Sequence, residues 1–187
     1  AMRVPASVLS SRGCPMDCSF CAGHRMTGRQ GRFRNPLRVV DEIEAAHLLG
    51  FEEICVDDDL FTRNRQHVSA ICDEICRRGL KFKMYIFARV DTVDPPLLRK
   101  LREAGCAMIC FGLESVNQKI LDRSNKRTTV EKARQAVALA KEAGISSFGS
   151  FVLGLPGETR ETMEETLSFA RSLDIPYGFH LFSPFPG

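Results

Sequence analysis

The sequence predicts an α/β fold built around one parallel sheet, and three observations lead to this prediction. Six short apolar segments of strand character alternate strictly with five segments of helical periodicity. Four of the helical segments end at a glycine, a residue that favours helix termination. The 187 residues, 44% hydrophobic and 26% charged, have the composition of one globular domain. Strict alternation indicates parallel strands, because a helical crossover returns the chain to the same end of the sheet.

The strands are predicted where short runs of aliphatic, aromatic and small residues lie between turn residues. They cover residues 4–9, 53–57, 82–88, 106–113, 145–153 and 177–182. Periodicity alone does not say whether such a sheet closes into a barrel or stays open. In both arrangements, functional residues gather at the carboxyl ends of the strands.

The helices are predicted from apolar spacing and from residues that favour helix starts. The first begins at Asn35-Pro36 and the third at Asp94-Pro95, each a capping residue followed by a proline suited to the first turn. For the fourth helix, Thr128 with Glu131 forms a capping-box pattern. The second and fifth are predicted from apolar stripes, which are Val68, Ile71, Cys72, Ile75 and Cys76 in one and Met163, Leu167 and Ala170 in the other.

Polar residues or glycine–proline clusters follow every predicted strand. They are Cys14, Cys18 and Cys21 after the first strand, 57–59 after the second, Arg89 after the third, Glu114 and Ser115 after the fourth, 154–158 after the fifth and Ser183-Pro184 after the sixth. Because the carboxyl ends of parallel strands share one rim of the sheet, we expect these clusters to meet.

Three of the eight cysteines, Cys14, Cys18 and Cys21, form the pattern C-x3-C-x2-C. Structural zinc sites and ferredoxin-type clusters take four ligands, so this stretch is one ligand short. His24 lies three residues after Cys21, and the alternative interpretation is a Cys3His zinc site that His24 completes. The remaining cysteines are interpreted as packing residues, with the last two on one face of a strand: Cys55, Cys72, Cys76, Cys106 and Cys110.

Charge and hydropathy narrow the classes of partner. A net charge of +3 and an isoelectric point near 8.5 are too mildly basic to indicate nucleic acid. The loop after the cysteines carries Arg25, Arg29, Arg32 and Arg34 with little aromatic interleaving, which favours a solvated or cofactor-covering loop over nucleic-acid contact. No apolar run reaches the ~18 residues of a membrane span, and no signal-peptide pattern opens the chain. We therefore expect a cytoplasmic protein with reduced thiols and no membrane partner.

Five segments together resemble the radical S-adenosylmethionine enzymes. They are the cysteine pattern with Phe20 before its last cysteine, VDDDLFT after the second strand, GLES after the fourth, FVLGLPGET after the fifth and SPFPG after the sixth. The resemblance covers nearly the whole chain and implies a partial (β/α)6 TIM-like barrel of parallel strands, open at the side. It assigns residues 1–187 to one core domain of this family, which we expect to be a segment of a larger protein.

The resemblance implies a [4Fe-4S] cluster bound by Cys14, Cys18 and Cys21. In the family, the iron without a cysteine chelates the amino and carboxylate groups of S-adenosylmethionine. Reduction then yields methionine and a 5'-deoxyadenosyl radical that abstracts hydrogen from a substrate. An electron donor such as flavodoxin or ferredoxin is required, and no residue identifies the substrate.

The same resemblance implies a set of contacts to S-adenosylmethionine. They are Asp58 and Asp59 for the amino group, Arg89 or Lys126 for the carboxylate, Glu114 with Ser115 and secondarily Ser150 for the ribose, and Phe20, Val152, Gly154 and Phe182 for adenine. The carboxylate needs a cation, which is why a basic residue is sought there.

The acidic run at 57–59 resembles a branch whose members often carry a cobalamin-binding domain. Cobalamin-dependent methylation is therefore the first hypothesis for the reaction, with cobalamin bound by a domain that is not in this chain. Methylthiolation or another radical rearrangement is the second. Two readings from other classes stay open: a zinc-stabilised binding domain without redox chemistry, and an iron–sulfur electron carrier.

Overall fold

A computed structural model of the protein, which describes residues 4–183, contains a six-stranded sheet with two free edges. The strands are β1 (Ala6–Val8), β2 (Ser11–Arg12), β3 (Arg32–Phe33), β4 (Glu53–Val56), β5 (Lys83–Ala88), β6 (Cys106–Glu114), β7 (Ser146–Leu153) and β8 (Tyr177–Leu181). The sheet has the order β1-β4-β5-β6-β7-β8, and every neighbouring pair is parallel. Strands β2 and β3 pair separately as an antiparallel hairpin. The predicted parallel α/β architecture, not closed into a barrel, is confirmed.

Seven helices connect these strands within residues 4–183. They are α1 (Gly23–Thr27), α2 (Pro36–Leu48), α3 (Arg65–Arg77), α4 (Pro95–Glu103), α5 (Gln118–Arg123), α6 (Val130–Glu142) and α7 (Arg160–Ser172). The five longer helices are the five that the sequence predicts. Asn35 and Asp94 cap α2 and α4 by accepting backbone N–H bonds, as expected. None of the helices in the described residues is long and apolar enough to cross a membrane.

The two faces of the sheet differ in burial. The face that packs against the helices supplies side chains at most 1% exposed, among them Ile54, Val56, Met84, Ile86 and Phe111. Each such burial contributes roughly 1.5–3 kcal/mol, so this layer holds the fold together. Side chains on the opposite face, here called the inner face, are only partly buried, and they remain available for a ligand.

The cysteines of β6 correct one prediction. Met84 pairs with Cys106 but the next residue, Tyr85, pairs with Met108, so β6 carries one extra residue at its start. A one-residue shift turns the following side chains to the other face of a strand. Cys106 is therefore buried with the helix-facing layer, whereas Cys110 lies on the inner face and lines a cavity. The prediction that these two cysteines share a face is wrong.

The other three cysteines predicted to be packing residues, Cys55, Cys72 and Cys76, differ in burial. Cys72 is 1% exposed, and burial raises the pKa of its thiol to about 12, as suits a packing residue. Cys76, predicted on the same stripe, is exposed, so its packing role is wrong. Cys55 is half-buried, and burial together with a hydrogen bond to Asp57 raises the pKa of its thiol to about 12. All eight cysteines of the chain are free thiols.

Several short elements are absent from the sequence-based prediction. The β2–β3 hairpin, α1, α5 and a single 3-10 turn at Phe61–Arg63 each span two to six residues. Segments of this length carry no measurable hydrophobic period, so periodicity does not detect them. The cluster predicted after the sixth strand, Ser183-Pro184, falls partly on residues 184–187, which lie outside the described residues.

The start of α6 is displaced by one residue from its prediction. Thr129, not Thr128, is the N-cap, and its hydroxyl accepts the backbone N–H of Lys132. Thr128 is only 6% exposed, and its hydroxyl has no hydrogen-bond partner among the described residues. The predicted capping box between Thr128 and Glu131 is therefore wrong.

The two threonines give a test of this cap. Thr129→Ala is expected to lower the free energy of unfolding by about 1 kcal/mol, because a helix N–H loses its acceptor. Thr128→Val is expected to be neutral or stabilising, because it removes a buried hydroxyl without a partner. Urea unfolding of both variants checks the ranking, and a larger loss in Thr128→Val would contradict it.

Candidate functional site

A cavity of about 470 Å³ opens on the inner face at the carboxyl ends of β5 to β8. Eight residues predicted from the sequence line it together: Cys18, Phe20, Cys21, Asp59, Arg89, Glu114, Lys126 and Ser150. They come from six separate loops and strand segments, which the parallel sheet brings to one rim. Six other predicted residues do not line the cavity: Cys14, Asp58, Ser115, Val152, Gly154 and Phe182.

Small residues form the floor of the cavity. Gly112 pairs with Ser150, and Ser150 pairs with Gly178, so three small residues lie in register across β6, β7 and β8. Cys110 and Phe148 pair one step earlier on the inner face. The small residues leave open space above these strands, and Phe87, Cys110 and Phe148 give the cavity an apolar lining.

The cysteine loop is fixed by backbone contacts. Cys14 donates its N–H to the carbonyl of Gly28 at 3.0 Å, and Cys21 donates to the carbonyl of Cys18 at 3.1 Å. Gly13 has a φ of 99° and a Cβ there would lie 2.2 Å from the carbonyl oxygen of Gln30, so only glycine fits. The loop that carries the three thiols is thus held in one shape.

Arg89 is buried and faces the cysteine loop. Its Nε and Nη2 donate to the two carboxylate oxygens of Asp91, each at 2.9 Å, and Nη2 also donates to the carbonyl of Lys126 at 2.6 Å. Its Nη1 lies 4.0 Å from the Sγ of Cys18. Burial raises the pKa of the Cys18 thiol, while the positive charges of Lys126 and Arg89 oppose that rise. The cations therefore favour a thiolate that burial disfavours.

Lys126 and Glu114, both predicted to contact a cofactor, pair with each other. The Nζ of Lys126 lies 2.7 Å from Oε1 of Glu114, and the two side chains are only 6% and 9% exposed. Lys126 also lies over the ring of Phe20, 5.8 Å from its centroid. Glu114 has a φ of 64°, at a register shift between β6 and β7. The two opposite charges neutralise each other at the edge of the cavity.

The loop at 124–127 contacts the cysteine loop and supports it. The sequence did not predict this contact. Ser19 donates its N–H to the carbonyl of Ser124 at 3.0 Å, and Arg127 pairs with Asp17 at 3.1 Å. Asn125 and Arg127 have φ values of 52° and 53°, in the left-handed region. Asparagine tolerates the left-handed conformation, so a turn at Asn125 is compatible with the sequence. The local sequence does not indicate that this turn contacts the cysteine loop.

The acidic run at 57–59 serves two purposes. Asp58 is 3% exposed and accepts four hydrogen bonds, two from backbone N–H groups and two from hydroxyls of Ser10 and Ser11. Asp59 accepts the N–H of Gly13 at 2.7 Å and also lines the cavity. The contacts favour a structural role for Asp58 and leave Asp59 as the acidic candidate for binding.

The other predicted residues outside the cavity have local partners. Ser115 is 4% exposed and accepts the N–H of Asn117, which favours a structural role at the turn after β6. Gly154 donates its N–H to the carboxylate of Glu158 at 2.6 Å. Phe182 donates its N–H to the carbonyl of Leu153 at 2.8 Å, which continues the pairing of β7 and β8. Val152 is half-buried within β7.

The donor set fits a thiolate-bound cluster. Three free thiols lie on one loop, two of them line the cavity, and two buried cations face them. Cationic groups beside cysteines favour the thiolate form that binds iron. Within residues 4–183 no three His, Cys, Asp or Glu side chains are close enough to hold a metal ion, so the three cysteines are not gathered around a common point in this structure, with or without His24.

Comparison with known proteins places the fold and the motif in one family. Residues 8–170 match the family described as the Radical SAM superfamily. The chain is 37% identical over 182 residues to an uncharacterised methyltransferase of Pyrococcus horikoshii, covering 96% of this chain and 40% of that protein. It is 41% identical over 167 residues to an anaerobic magnesium-protoporphyrin IX monomethyl ester cyclase of Cereibacter sphaeroides, covering 86% of this chain and 27% of that protein. The chain thus spans less than half the length of these relatives.

Solved structures share the architecture. The radical S-adenosylmethionine methyltransferase TsrM of Kitasatospora setae, solved with cobalamin and a [4Fe-4S] cluster bound, superimposes with a TM-score of 0.88 at 25% identity, over 95% of this chain and 34% of that chain. Coproporphyrinogen III oxidase of Escherichia coli superimposes with a TM-score of 0.72 at 17% identity, over 97% of this chain and 45% of that chain, which concerns the fold alone. Both likenesses support the partial barrel expected from the sequence.

Asp58 gives a test of the structural role assigned above. Asp58→Ala is expected to lower the free energy of unfolding by about 3 kcal/mol, because two N–H groups and two hydroxyls lose their acceptor in a buried position. Asp57→Ala, at an exposed neighbouring position, is the control and is expected to cost less than about 1 kcal/mol. Chemical denaturation measures both, and equal losses would contradict the assignment.

Proposed function

The chain belongs to the radical SAM superfamily, and from that premise we propose that Cys14, Cys18 and Cys21 hold the [4Fe-4S] cluster with which it cleaves S-adenosylmethionine reductively. Members of this family bind a [4Fe-4S] cluster and S-adenosylmethionine. The observation that carries the residue assignment is the cavity, where two of these cysteines meet buried cations and carboxylates. The chemical outcome is methylation or another radical modification of a substrate that no residue identifies.

The cysteine loop has the properties that a cluster site needs. When bound, the cluster supplies one electron and an iron without a protein ligand, at which S-adenosylmethionine is held. The chain's own part is to keep three sulfurs as thiolates. Cys14 and Cys18 both interact electrostatically with Arg89, and Lys126 adds a second positive charge near Cys18. These cations stabilise the negative charge of the thiolates in a partly buried loop.

Lys126 is better suited than Arg89 to receive the methionyl carboxylate. Arg89 is committed to Asp91, to a backbone carbonyl and to Cys18, so it has little free donor capacity. Lys126 donates to one carboxylate, Glu114, and an ammonium group has three donors, so it can bind a second carboxylate while it keeps the first. Asp59 binds Gly13 through one carboxylate oxygen and lines the cavity, and its other carboxylate oxygen is proposed for the amino group.

The remaining part of S-adenosylmethionine would lie along the inner face. Glu114 binds Lys126 through Oε1, and its other carboxylate oxygen suits the hydroxyls of the ribose. Ser150 contributes a hydroxyl in the row of small residues, and Phe20 offers an aromatic edge. We keep Val152, Gly154 and Phe182 as proposed adenine contacts through backbone and ring, although they lie just outside the cavity.

Methylation is the reaction we propose first. It is supported by 37% identity to a protein named as a methyltransferase and by the likeness to TsrM. Because TsrM was solved with cobalamin, we also propose cobalamin as a methyl carrier, bound by a domain outside these residues. Cyclisation is the second candidate, favoured by 41% identity to a cyclase, and it would use the same cluster site.

We further propose that these residues form the core of a larger enzyme that works in the cytoplasm with flavodoxin or ferredoxin as its reductant. Eight free thiols persist best in a reducing compartment. The family's need for an electron supports the reductant.

The ligand assignment predicts which cysteines are required for iron. Cys18→Ala is expected to lose stable four-iron content after anaerobic reconstitution, because a three-thiolate site has no spare ligand. Cys72→Ala, buried on α3, is the matched control and should keep the iron at some cost in packing. Iron and sulfide analysis measures both variants. Full cluster content in Cys18→Ala would contradict the assignment, and one zinc without sulfide in the wild type would favour the binding-domain alternative.

The cofactor assignment predicts a loss of affinity at Glu114. Glu114→Ala is expected to weaken S-adenosylmethionine binding to the cluster-loaded protein by about 1–3 kcal/mol, because ligand polar groups lose their partner. Glu142→Ala, on the exposed surface of α6, is the control with the same loss of charge. Calorimetry measures the affinities, and chromatography detects 5'-deoxyadenosine after dithionite reduction. Unchanged affinity in Glu114→Ala would contradict the ribose assignment, and a wild-type cluster indifferent to S-adenosylmethionine would favour an electron carrier.

A further inference from the structure

Gly112 lies directly beneath the Lys126–Glu114 pair. A Cβ at this position would be 2.6 Å from Oε1 of Glu114 and 3.0 Å from Nζ of Lys126. Both distances are shorter than van der Waals contact, so a methyl group at 112 would force the ends of the Glu114 and Lys126 side chains to shift from their present places. Gly178, which lies in the same row of the cavity floor, would instead meet the ring of Phe148 at 3.1 Å.

The backbone at 112 does not itself require glycine. Gly112 is not among the glycines with a positive φ, and it lies within β6 in register with Ser150. In a strand interior, glycine is less stable than alanine by roughly 0.5–1 kcal/mol. Glycine at 112 thus lowers the stability of the strand, and what it provides is room for the charged ends of Glu114 and Lys126.

The pair has little freedom to move away from a side chain at 112. The backbone of Glu114 is left-handed at the register shift, and the backbone carbonyl of Lys126 accepts a hydrogen bond from Arg89. The ammonium group of Lys126 lies over the ring of Phe20, so the neighbours of the pair limit the directions in which its two ends can shift. Separating the two charged groups would leave each of them buried without its partner, which is strongly destabilising in proteins. A methyl group at 112 therefore displaces the pair and cannot simply be accommodated.

We propose that Gly112 is a positioning residue of the cofactor site: its missing side chain lets Lys126 and Glu114 pair across β6 and keeps both directed to the cavity. This inference rests on the proposed function, because Lys126 and Glu114 are there assigned to S-adenosylmethionine. Gly112 offers no side chain to the ligand, and its positioning role is exerted through the pair.

The first test needs no cofactor. In the cluster-free protein, the side-chain ammonium of Lys126 should give a slowly exchanging nitrogen resonance, identified by its loss in Lys126→Arg. Gly112→Ala is expected to shift or remove this resonance, whereas Gly178→Ala, the matched control on the same floor, should leave it in place. An unchanged resonance in Gly112→Ala would overturn the proposal.

The second test is a double-mutant cycle on binding. Gly112→Ala is expected to weaken S-adenosylmethionine binding to the cluster-loaded protein about ten-fold in the wild-type background. In the Glu114→Ala background the same change should cost less than about two-fold, because the group that the methyl displaces is already gone. Losses that simply add would overturn the proposal, since they would mean that Gly112 acts independently of the pair.

Two further outcomes are informative. If Gly112→Ala alone fails to fold and the addition of Glu114→Ala with Lys126→Met, which removes both charges, restores the fold, the damage is traced to the pair and the proposal is supported. If that triple variant fails to fold while Glu114→Ala with Lys126→Met folds, the glycine serves the strand itself and the proposal is overturned. A wild-type protein that does not bind S-adenosylmethionine would contradict the proposed function, while the resonance test would still decide the role of Gly112.

Discussion

The buried pair of Lys126 and Glu114 is the interaction on which the rest of the site depends. Two charges this deeply buried are stable only when each is matched, so their surroundings must hold them together. The register shift in β6 supplies the backbone of Glu114, and the glycine beneath the pair supplies its space. Because the pair also touches Phe20 of the cysteine loop, the charge balance of the cavity is tied to the loop that carries the thiols.

The fold explains why these groups meet. A sheet whose strands follow chain order brings every carboxyl end to one rim, and each loop at that rim can then contribute one element of the site. The face toward the helices is packed with side chains that are almost fully buried, whereas the inner face keeps small and partly buried residues. Stability and binding are thus assigned to opposite faces of the same strands. An open sheet edge leaves the cavity accessible to a substrate or to another domain.

Much of this arrangement could be predicted from the sequence, and the failures have physical causes. Alternating periodicity identified all six strands and the five longer helices, and eight of the predicted site residues line one cavity. Contacts between residues distant in sequence could not be predicted. The pairing of Lys126 with Glu114 and the contact of the 124–127 loop with the cysteine loop both depend on tertiary packing. The extra residue in β6, which turned Cys110 to the inner face, leaves no trace in composition. From the sequence, the residues of the acidic run at 57–59 could not be told apart. In the structure, Asp58 accepts hydrogen bonds from two serines, whereas Asp59 lines the cavity. The difference arises because successive residues after a strand point in different directions.

The most direct measurement of the central claim is electron–nuclear double resonance on the reduced, reconstituted protein with S-adenosylmethionine labelled with ¹⁵N in its amino group and ¹⁷O in its carboxylate. We expect hyperfine coupling of both labels to the cluster, because the proposed function places the three cysteine ligands on one loop and the methionyl end of the ligand in the cavity beside it. Spectra that are identical with labelled and unlabelled S-adenosylmethionine would contradict this expectation, since they would mean that the methionyl end of the ligand does not bind the cluster.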